Sequence, residues 1–564
     1  MRRNLSALAN TEYDLVIVGG GIFGLCAAWD AALRGLSVAI IEKGDFAHAT
    51  SANHFKMAHG GIRYLQHADI YRVRESCRER SALLRIAPHL VQPLPIVIPT
   101  YGHGIKGREF LSAGLFLYDI LTGDRNRGIQ ADRRIPRGRF ICRQEVLELF
   151  PGIEEKGLTG GAVLCDGQIY NPPRLAISFL KSAVNEGTDA ANYIQATGFL
   201  QKGNRVSGVT ARDVLTGNQF EIRGKVVLNT AGPWAHRLLR NGLGLRLNSN
   251  PTFSRDLAFV VNRHPMTRYA VAFSTKTKDV DSVLDRGGRH LFAVPWRDYT
   301  LVGVWHVVFN RAPEEITVTE EELQGFIDEV NEAYSGLALA LDDILIINTG
   351  LTLFGEENRQ GRNNMSFGKR SRLINHNREH QLEGLVTLIG VRATTARGMA
   401  EKAIDIIANK LGQSTPRSKT EVTPIYGGHI GSFEDFLRDA IRNSPPALDS
   451  KTMRALVHNH GARYQDVLKY AKEEPTWIES VGESTVLKAE VIHAVREEMA
   501  QKLADVVFRR TDLATGEYPG DDTVETCARL MSSEMGWDED KLNRELEEVK
   551  KTFPFNNQQI TMKE

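Results

Sequence analysis

The apolar run Tyr13 to Val18, broken only by Asp14, leads straight into Gly19-Gly20-Gly21-Ile22-Phe23-Gly24. Residues from Ile22 to Arg34 then carry Ala, Leu and Trp at helical spacing, and Gly35 supplies a helix end. Ser37 to Glu42 reads as a second strand. A GxGxxG match alone says little, but between a strand and a helix it specifies a dinucleotide-binding turn. Gly19 permits the tight turn, Gly21 lets backbone approach a pyrophosphate, and Gly24 lets helix and strand pack closely. The helix start at Ile22 and Phe23 turns its unpaired N–H groups toward the diphosphate. Glu42, with Lys43 beside it, is placed to meet a ribose diol, and an acid there disfavours a 2′-phosphate.

The chain of 564 residues is too long for one core, so at least two domains sharing a site are expected. From Asp45 to Ile70 it is rich in Ser, His and Gly with little periodicity, as in a functional loop, and Ile70 to Ile86 is a charged amphipathic helix. Asn171 to Glu186 is a helix opening on two prolines. Strands are expected at Tyr193 to Leu200, Arg205 to Asp213 and Phe220 to Asn229, and antiparallel ones at Leu257 to Asn262, His290 to Pro295, Thr300 to Phe309 and Leu345 to Leu353. A helix interrupts these near Thr319 to Tyr334. Leu385 to Ile389 is a buried strand, Thr394 to Lys410 a helix, and 411–424 a polar linker with Pro416 and Pro424. Helical periodicity governs the rest.

The expected class is α/β: a Rossmann-like FAD-binding domain, an antiparallel-sheet substrate domain and a C-terminal α-helical domain. The nucleotide part would be discontinuous within 1–415, at about 11–75, 150–240 and 380–412, with the substrate part at about 76–149 and 241–379 and the helical domain at 425–564. The early interruption and late return favour a tightly held flavin, FAD, over a nicotinamide cofactor.

Charge excludes one partner class. With 70 basic against 69 acidic residues there is no bulk field for nucleic acid. The five cysteines show no CxxC spacing and read as reduced thiols, with no zinc framework or other metal set. No apolar run approaches the roughly 20 residues that span a bilayer. A cytoplasmic protein, at most peripheral to the inner face of a membrane, is expected, and the C-terminal helices can pair protomers into a homodimer or cover the active site.

Past Glu42 come Ala49-Thr50-Ser51 and Lys56-Met57-Ala58-His59-Gly60-Gly61-Ile62-Arg63-Tyr64-Leu65. Further on stand Gly114-Leu115-Phe116-Leu117-Tyr118-Asp119, Asn229-Thr230-Ala231-Gly232-Pro233-Trp234, Pro295-Trp296 and Val507-Phe508-Arg509-Arg510-Thr511. These segments resemble the flavin-linked glycerol-3-phosphate dehydrogenases over nearly the whole chain. The resemblance implies a fold of the glutathione-reductase or D-amino-acid-oxidase type, with an antiparallel sheet capping the flavin. It implies cofactor contacts at Thr50, Ser51, Lys56, Met57, Gly60, Gly61, Ala196, Ala231, Gly232, Gly390, Thr394 and Thr395. His59 would lie beside the flavin. Arg63 would meet a substrate anion or incipient alkoxide, with Tyr64 adding a hydroxyl.

The substrate half departs from that pattern. The family's Gly-Thr-Thr-Asp is Gly303-Val304-Trp305-His306, its Ser-Gly-Val-Arg-Pro is Thr349-Gly350-Leu351-Thr352-Leu353, and its Gly-Gly-Lys-x-Thr-Thr is Gly390-Val391-Arg392-Ala393-Thr394-Thr395. Loss of an arginine at Thr352 removes charge-assisted hydrogen bonds worth roughly 1.5–3 kcal/mol each. Arg392, Lys369 or Arg370 could replace that charge, while Trp305 is either pocket bulk or ordinary core and His306 either a titrating pocket group or a satisfied strand histidine. The expectation is oxidation of a hydroxyl-bearing carbon to a ketone, on a small alcohol, phosphorylated or not, with His306 or Arg392 assisting loss of the hydroxyl proton. A quinone, another carrier or oxygen would be the acceptor. The rival readings are oxidation of an amine or larger alcohol, and a non-catalytic flavoprotein.

Overall fold

A computed structural model of the chain describes residues 1–103, 107–245, 247, 252–278, 288–355, 370–412 and 414–553. Its first sheet runs in the order Arg372–Asn375, Leu385–Ile389, Gln219–Asn229, Glu12–Val18, Val38–Ile41, Asp189–Ala191. The pairings from Leu385–Ile389 to Asp189–Ala191 are all parallel. The hairpin Ile194–Lys202/Arg205–Asp213 branches antiparallel from Gln219–Asn229. Buried on both faces, Val38–Ile41 is a continuous apolar run and Leu385–Ile389 is apolar but for Thr387. Helices Ile22–Leu33, Pro172–Asn185 and Ala396–Leu411 share the core on one side of this sheet. There Trp29 meets Phe179 edge-on at 5.5 Å, and burying each such ring stabilises the layer by about 1.5–3 kcal/mol.

The second sheet has nine strands, ordered Ile344–Gly355, Thr252–Val261, Tyr299–Phe309, Gly288–Trp296, Ala270–Lys278, Val91–Tyr101, Leu158–Ile169, Met57–Ala58, with Arg139–Cys142 on Leu158–Ile169. The helix Glu320–Ala333, opened by a Thr319/Glu322 capping box, packs on one face. Helix Arg108–Leu121 contributes Leu111 and Leu115 to the core on the other.

Two of these strands do not read as strands in the sequence. Val91–Tyr101 holds Pro93, Pro95 and Pro99 at alternate positions, so their missing donors all lie on one edge. That edge meets Ala270–Lys278 only at Ile96 and Val97. Leu158–Ile169 holds glycines where neighbours crowd in: a Cβ at Gly161 would stand 2.8 Å from Val97, and one at Gly167 3.0 Å from the Ala58 carbonyl. This corrects the expected boundaries, because the chain re-enters the nucleotide-binding part with helix Pro172–Asn185, after a full strand of the substrate sheet.

The expected linker 411–424 is tied down near its end. Thr420 and Ile425 are fully buried, Arg397 donates to the Thr420 hydroxyl at 2.9 Å, and the Ile425 N–H donates to Ile86. Beyond it, helices from Phe433–Arg442 to Glu539–Lys550 build two further apolar clusters. A buried charge cluster joins them to helix Pro172–Asn185: Glu498 accepts from Arg174 at 2.5 Å and from Lys181 at 3.1 Å.

Candidate active site

The nucleotide loop is built by exclusion of side chains. Gly19 has φ +110°, and a Cβ there would lie 2.6 Å from the Thr230 carbonyl oxygen. A Cβ on Gly24 would collide with the Gly19 carbonyl, so this glycine sets the helix against the strand. Gly21 precedes helix Ile22–Leu33 with no side-chain cap, which leaves N–H donors at the helix start facing a cavity. Glu42 accepts from the Gly20 N–H at 2.7 Å and from the Gly44 N–H at 3.0 Å, so it shapes the loop as well as lining the cavity. Ser51 accepts from the Ile22 N–H at 2.9 Å. Lys43 lies 3.6 Å above the Trp234 ring. Orphan donors, a Cβ-free approach and an acid at the strand end fit the diphosphate and ribose of FAD.

The following loop carries the chemistry toward the second sheet. The Thr50 hydroxyl is held at 3.1 Å by both the N–H and the carbonyl of Leu351, so its first task is to tie the loop to strand Ile344–Gly355. Lys56 turns away from the cavity into the interior, donating to Asn348 at 3.1 Å and standing 4.7 Å from the Trp296 ring. Burial, with Arg297 as the second cause, pulls the Lys56 ammonium down to about 7. Behind Gly60, a Cβ would strike Arg80 and the Tyr118 hydroxyl. The Gly60 N–H donates to Asp166 at 2.6 Å, and Asp166 also accepts from Arg80 at 2.6 Å. The glycine therefore makes room for a buried ion pair.

A cavity of about 1150 Å³ runs from Gly19 and Glu42, past Met57, His59 and Gly61, to strands Thr252–Val261, Tyr299–Phe309 and Ile344–Gly355. Ile22, Phe23, Lys43, Thr50, Ser51, Ala196, Ala231, Gly232, Gly390 and Thr394, expected as cofactor contacts, line it. Gly24, Lys56, Gly60 and Thr395 do not, and the Thr395 hydroxyl instead donates to the Arg392 carbonyl at 3.1 Å. His59 and Tyr64 face it with ring centroids 6.1 Å apart, and the guanidinium groups of Arg72 and Arg392 lie 4.4 and 5.0 Å from the Tyr64 ring. Arg392 donates to Ser76 at 2.7 Å and Glu75 at 3.2 Å. Arg370 stacks outside the cavity, 5.4 Å from the Tyr71 ring. Lys369 and the side chain of Arg63 lie outside the described residues.

Trp305 is the clear correction among the substrate contacts. It stacks on Phe326 of helix Glu320–Ala333 at 5.5 Å, on the far side of the sheet. Successive strand residues face opposite sides, so Val304 and His306 line the cavity and Trp305 belongs to the core. Thr352 does face the cavity, with Ser254 as its cross-strand partner. Sequence reasoning missed Asp256, whose carboxylate accepts from His306 Nδ1 at 2.7 Å and from Ser254 at 2.7 Å. The alternation Ser254, Asp256, Ala258 on the strand facing His306 was its available signal. Arg72, Asn348 and His54, which also line the cavity, were missed as well.

Comparison with known proteins agrees with this construction. The FAD dependent oxidoreductase family matches residues 14–389, and the C-terminal domain of alpha-glycerophosphate oxidase matches 418–542. The chain is 30% identical over 554 residues to a glycerol-3-phosphate dehydrogenase of Synechocystis sp., covering 97% of each. It is 28% identical to the aerobic glycerol-3-phosphate dehydrogenase of Bacillus subtilis, covering 97% of this chain and 96% of that one. In fold it is similar to the glycerol-3-phosphate dehydrogenase from Bacillus halodurans complexed with FAD, with TM-score 0.77 at 24% identity over 97% of this chain and 95% of that one. By sequence across almost its whole length, the chain belongs to the FAD-dependent oxidoreductases of the glycerol-3-phosphate dehydrogenase family.

Proposed function

We propose that the chain oxidises a hydroxyl-bearing carbon of a small polar alcohol to a ketone, and that glycerol 3-phosphate is at best a poor substrate for it. The observation that carries this reading is the cavity that joins the diphosphate loop at Gly21 to the wall bearing His306, Asp256 and Thr352. When bound, FAD supplies the hydride acceptor. Gly61 and Met57 supply backbone and apolar surface along the cavity, and His59 and Tyr64 supply polar groups that orient an alcohol. Arg392 offers a cation to a developing alkoxide, and His306 offers an imidazole to the hydroxyl proton.

The altered substrate is supported by charge. Thr352 stands where the family carries an arginine, Arg392 is already bonded to Glu75, and Arg72 is bonded to Asp69 at 2.7 Å. Asp256 adds a carboxylate to the wall. Among the described residues near Thr352 and Tyr64, a phosphate dianion would meet Arg72 and Arg392, both already partnered, and the carboxylate of Asp256. The acceptor side is supported by helix Arg108–Leu121: Leu111 and Leu115 line the cavity, while Phe116 and Ile120 are exposed. Such a surface suits an apolar quinone delivered from a membrane face. No helix among the described residues is long and apolar enough to cross a membrane.

Anaerobic mixing with glycerol 3-phosphate, and with a panel of polyols, hydroxy acids and amines, tests the reading through flavin absorbance. Slow or absent bleaching by glycerol 3-phosphate and fast bleaching by another alcohol is the expected result. Thr352→Arg together with Arg392→Lys should then restore bleaching by glycerol 3-phosphate. Fast, complete bleaching of the unaltered protein by glycerol 3-phosphate would overturn the substrate assignment, and bleaching by amines alone would overturn the reaction type.

A further inference from the structure

We infer that Asp256 is a positioning residue that makes His306, and not Arg392, the group that takes the substrate's hydroxyl proton. The inference rests on the alcohol-oxidising reading and names the residues that give its proton step a direction.

The pair is set by strand geometry. His306 and Asp256 are direct cross-strand partners in the register of Tyr299–Phe309 against Thr252–Val261. Both side chains are on the cavity wall, with Nδ1 and Oδ1 at 2.7 Å. A second bond, from the Ser254 hydroxyl to the same Oδ1 at 2.7 Å, fixes the carboxylate. An ionised carboxylate can only accept, so Nδ1 must carry the hydrogen. The lone pair of the neutral ring is then on Nε2, whatever group that nitrogen meets in the resting protein. Without Asp256, either nitrogen could carry the hydrogen and the ring could turn.

Arg392 cannot do this work. A guanidinium stays protonated and has no acceptor. Its bonds to Ser76 and Glu75 leave it a fixed cation that can stabilise an alkoxide without removing a proton. In the proton step the O–H bond of the substrate breaks, its electron pair stays on oxygen, and the proton bonds to Nε2; the carbonyl would form only as the C–H bond gives up its hydride, for which FAD would be the acceptor when bound. The resulting imidazolium is stabilised by Asp256, as a carboxylate behind a catalytic histidine does in hydrolases.

The test uses the FAD-loaded protein with Asp256→Asn, Asp256→Glu and His306→Gln, each checked for unchanged FAD content. Nitrogen-15 spectra of labelled histidine, assigned by loss of one signal in His306→Gln, read the tautomer without any substrate. The expected result is hydrogen on Nδ1 in the unaltered protein and a mixed or inverted tautomer in Asp256→Asn. With whichever alcohol bleaches the unaltered protein, Asp256→Asn should slow the limiting bleaching rate on the order of 10²-fold, with half-saturation little changed. Asp256→Glu should recover part of the rate. A wild-type rate in Asp256→Asn, or an unprotonated Nδ1 in the unaltered protein, overturns the inference. If no alcohol bleaches the unaltered protein, the reaction reading fails, while the tautomer still decides whether Asp256 sets the ring.

Discussion

Asp45 accepts from both terminal nitrogens of Arg510 at 2.7 Å each, and from Arg509 Nε at 2.6 Å. Asp45 follows directly on Glu42, Lys43 and Gly44, and the two arginines lie on the π-helix Val506–Arg510 of the C-terminal part. The C-terminal helices therefore hold the loop that frames the Glu42 end of the cavity.

Removing one partner strips this fully buried group of part of its compensation, at a cost of up to about 3–5 kcal/mol. Arg510→Ala or Asp45→Ala should lower the urea midpoint and speed FAD loss, both measurable from flavin fluorescence. An unchanged midpoint would show that the clamp is incidental. Burial alone would raise the Asp45 carboxyl, but Arg510 and then Arg509 outweigh it and hold the group below the ordinary range. The clamp's stability should thus be complete above an unfolded carboxyl pKa of about 3.9 and decline as pH falls through the lower folded value.

His89 makes a second pH dependence. Its two ring nitrogens have no hydrogen-bond partner among the described residues, and burial, aided by His458, pulls it to about 3. Between about 6.5 and 3 the unfolded chain binds a proton that the folded one refuses, so this group weakens the fold as pH falls. His89→Leu should lose less stability between pH 7 and pH 5 than the unaltered protein does. An equal loss in both, measured by urea titration, would contradict this.

Two glycines of one motif should behave differently. Gly24→Ala drives a Cβ into the Gly19 carbonyl and should yield little folded protein. In Gly21→Ala the nearest atom is Ser51 Oγ at 3.1 Å, a tolerable approach, so the fold should persist while FAD affinity falls. Circular dichroism and flavin titration separate the two effects.

Trp305→Leu should cost stability, including the roughly 0.5–1.5 kcal/mol of its pairing with Phe326, yet leave substrate half-saturation unchanged. A shift in half-saturation comparable to that caused by Thr352→Arg would place Trp305 in the pocket after all.

Residues from Tyr13 to Glu42 encode their structure locally. The apolar run, the glycine spacing and the acid at the strand end act over neighbouring positions, and each appears where the sequence places it. The strands Val91–Tyr101 and Leu158–Ile169 do not, because their prolines and glycines make sense only once the facing edge is known. The same holds for 411–424, whose polar composition hides a buried Thr420.

At the site, motif spacing was enough to pick out Gly19, Gly21, His59, Tyr64, His306, Thr352 and Arg392, all of which line the cavity. It could not say which of the adjacent Trp305 and His306 faces inward. Alternation makes them opposite, but a register shift between Leu257 and Ala258 fixes the phase, and that shift is a property of the paired strands. Nor could it bring Asp256 to His306 or Arg510 to Asp45. Those contacts join residues far apart in the chain, and their groups are held together by burial and sheet register, which no local pattern of residues encodes.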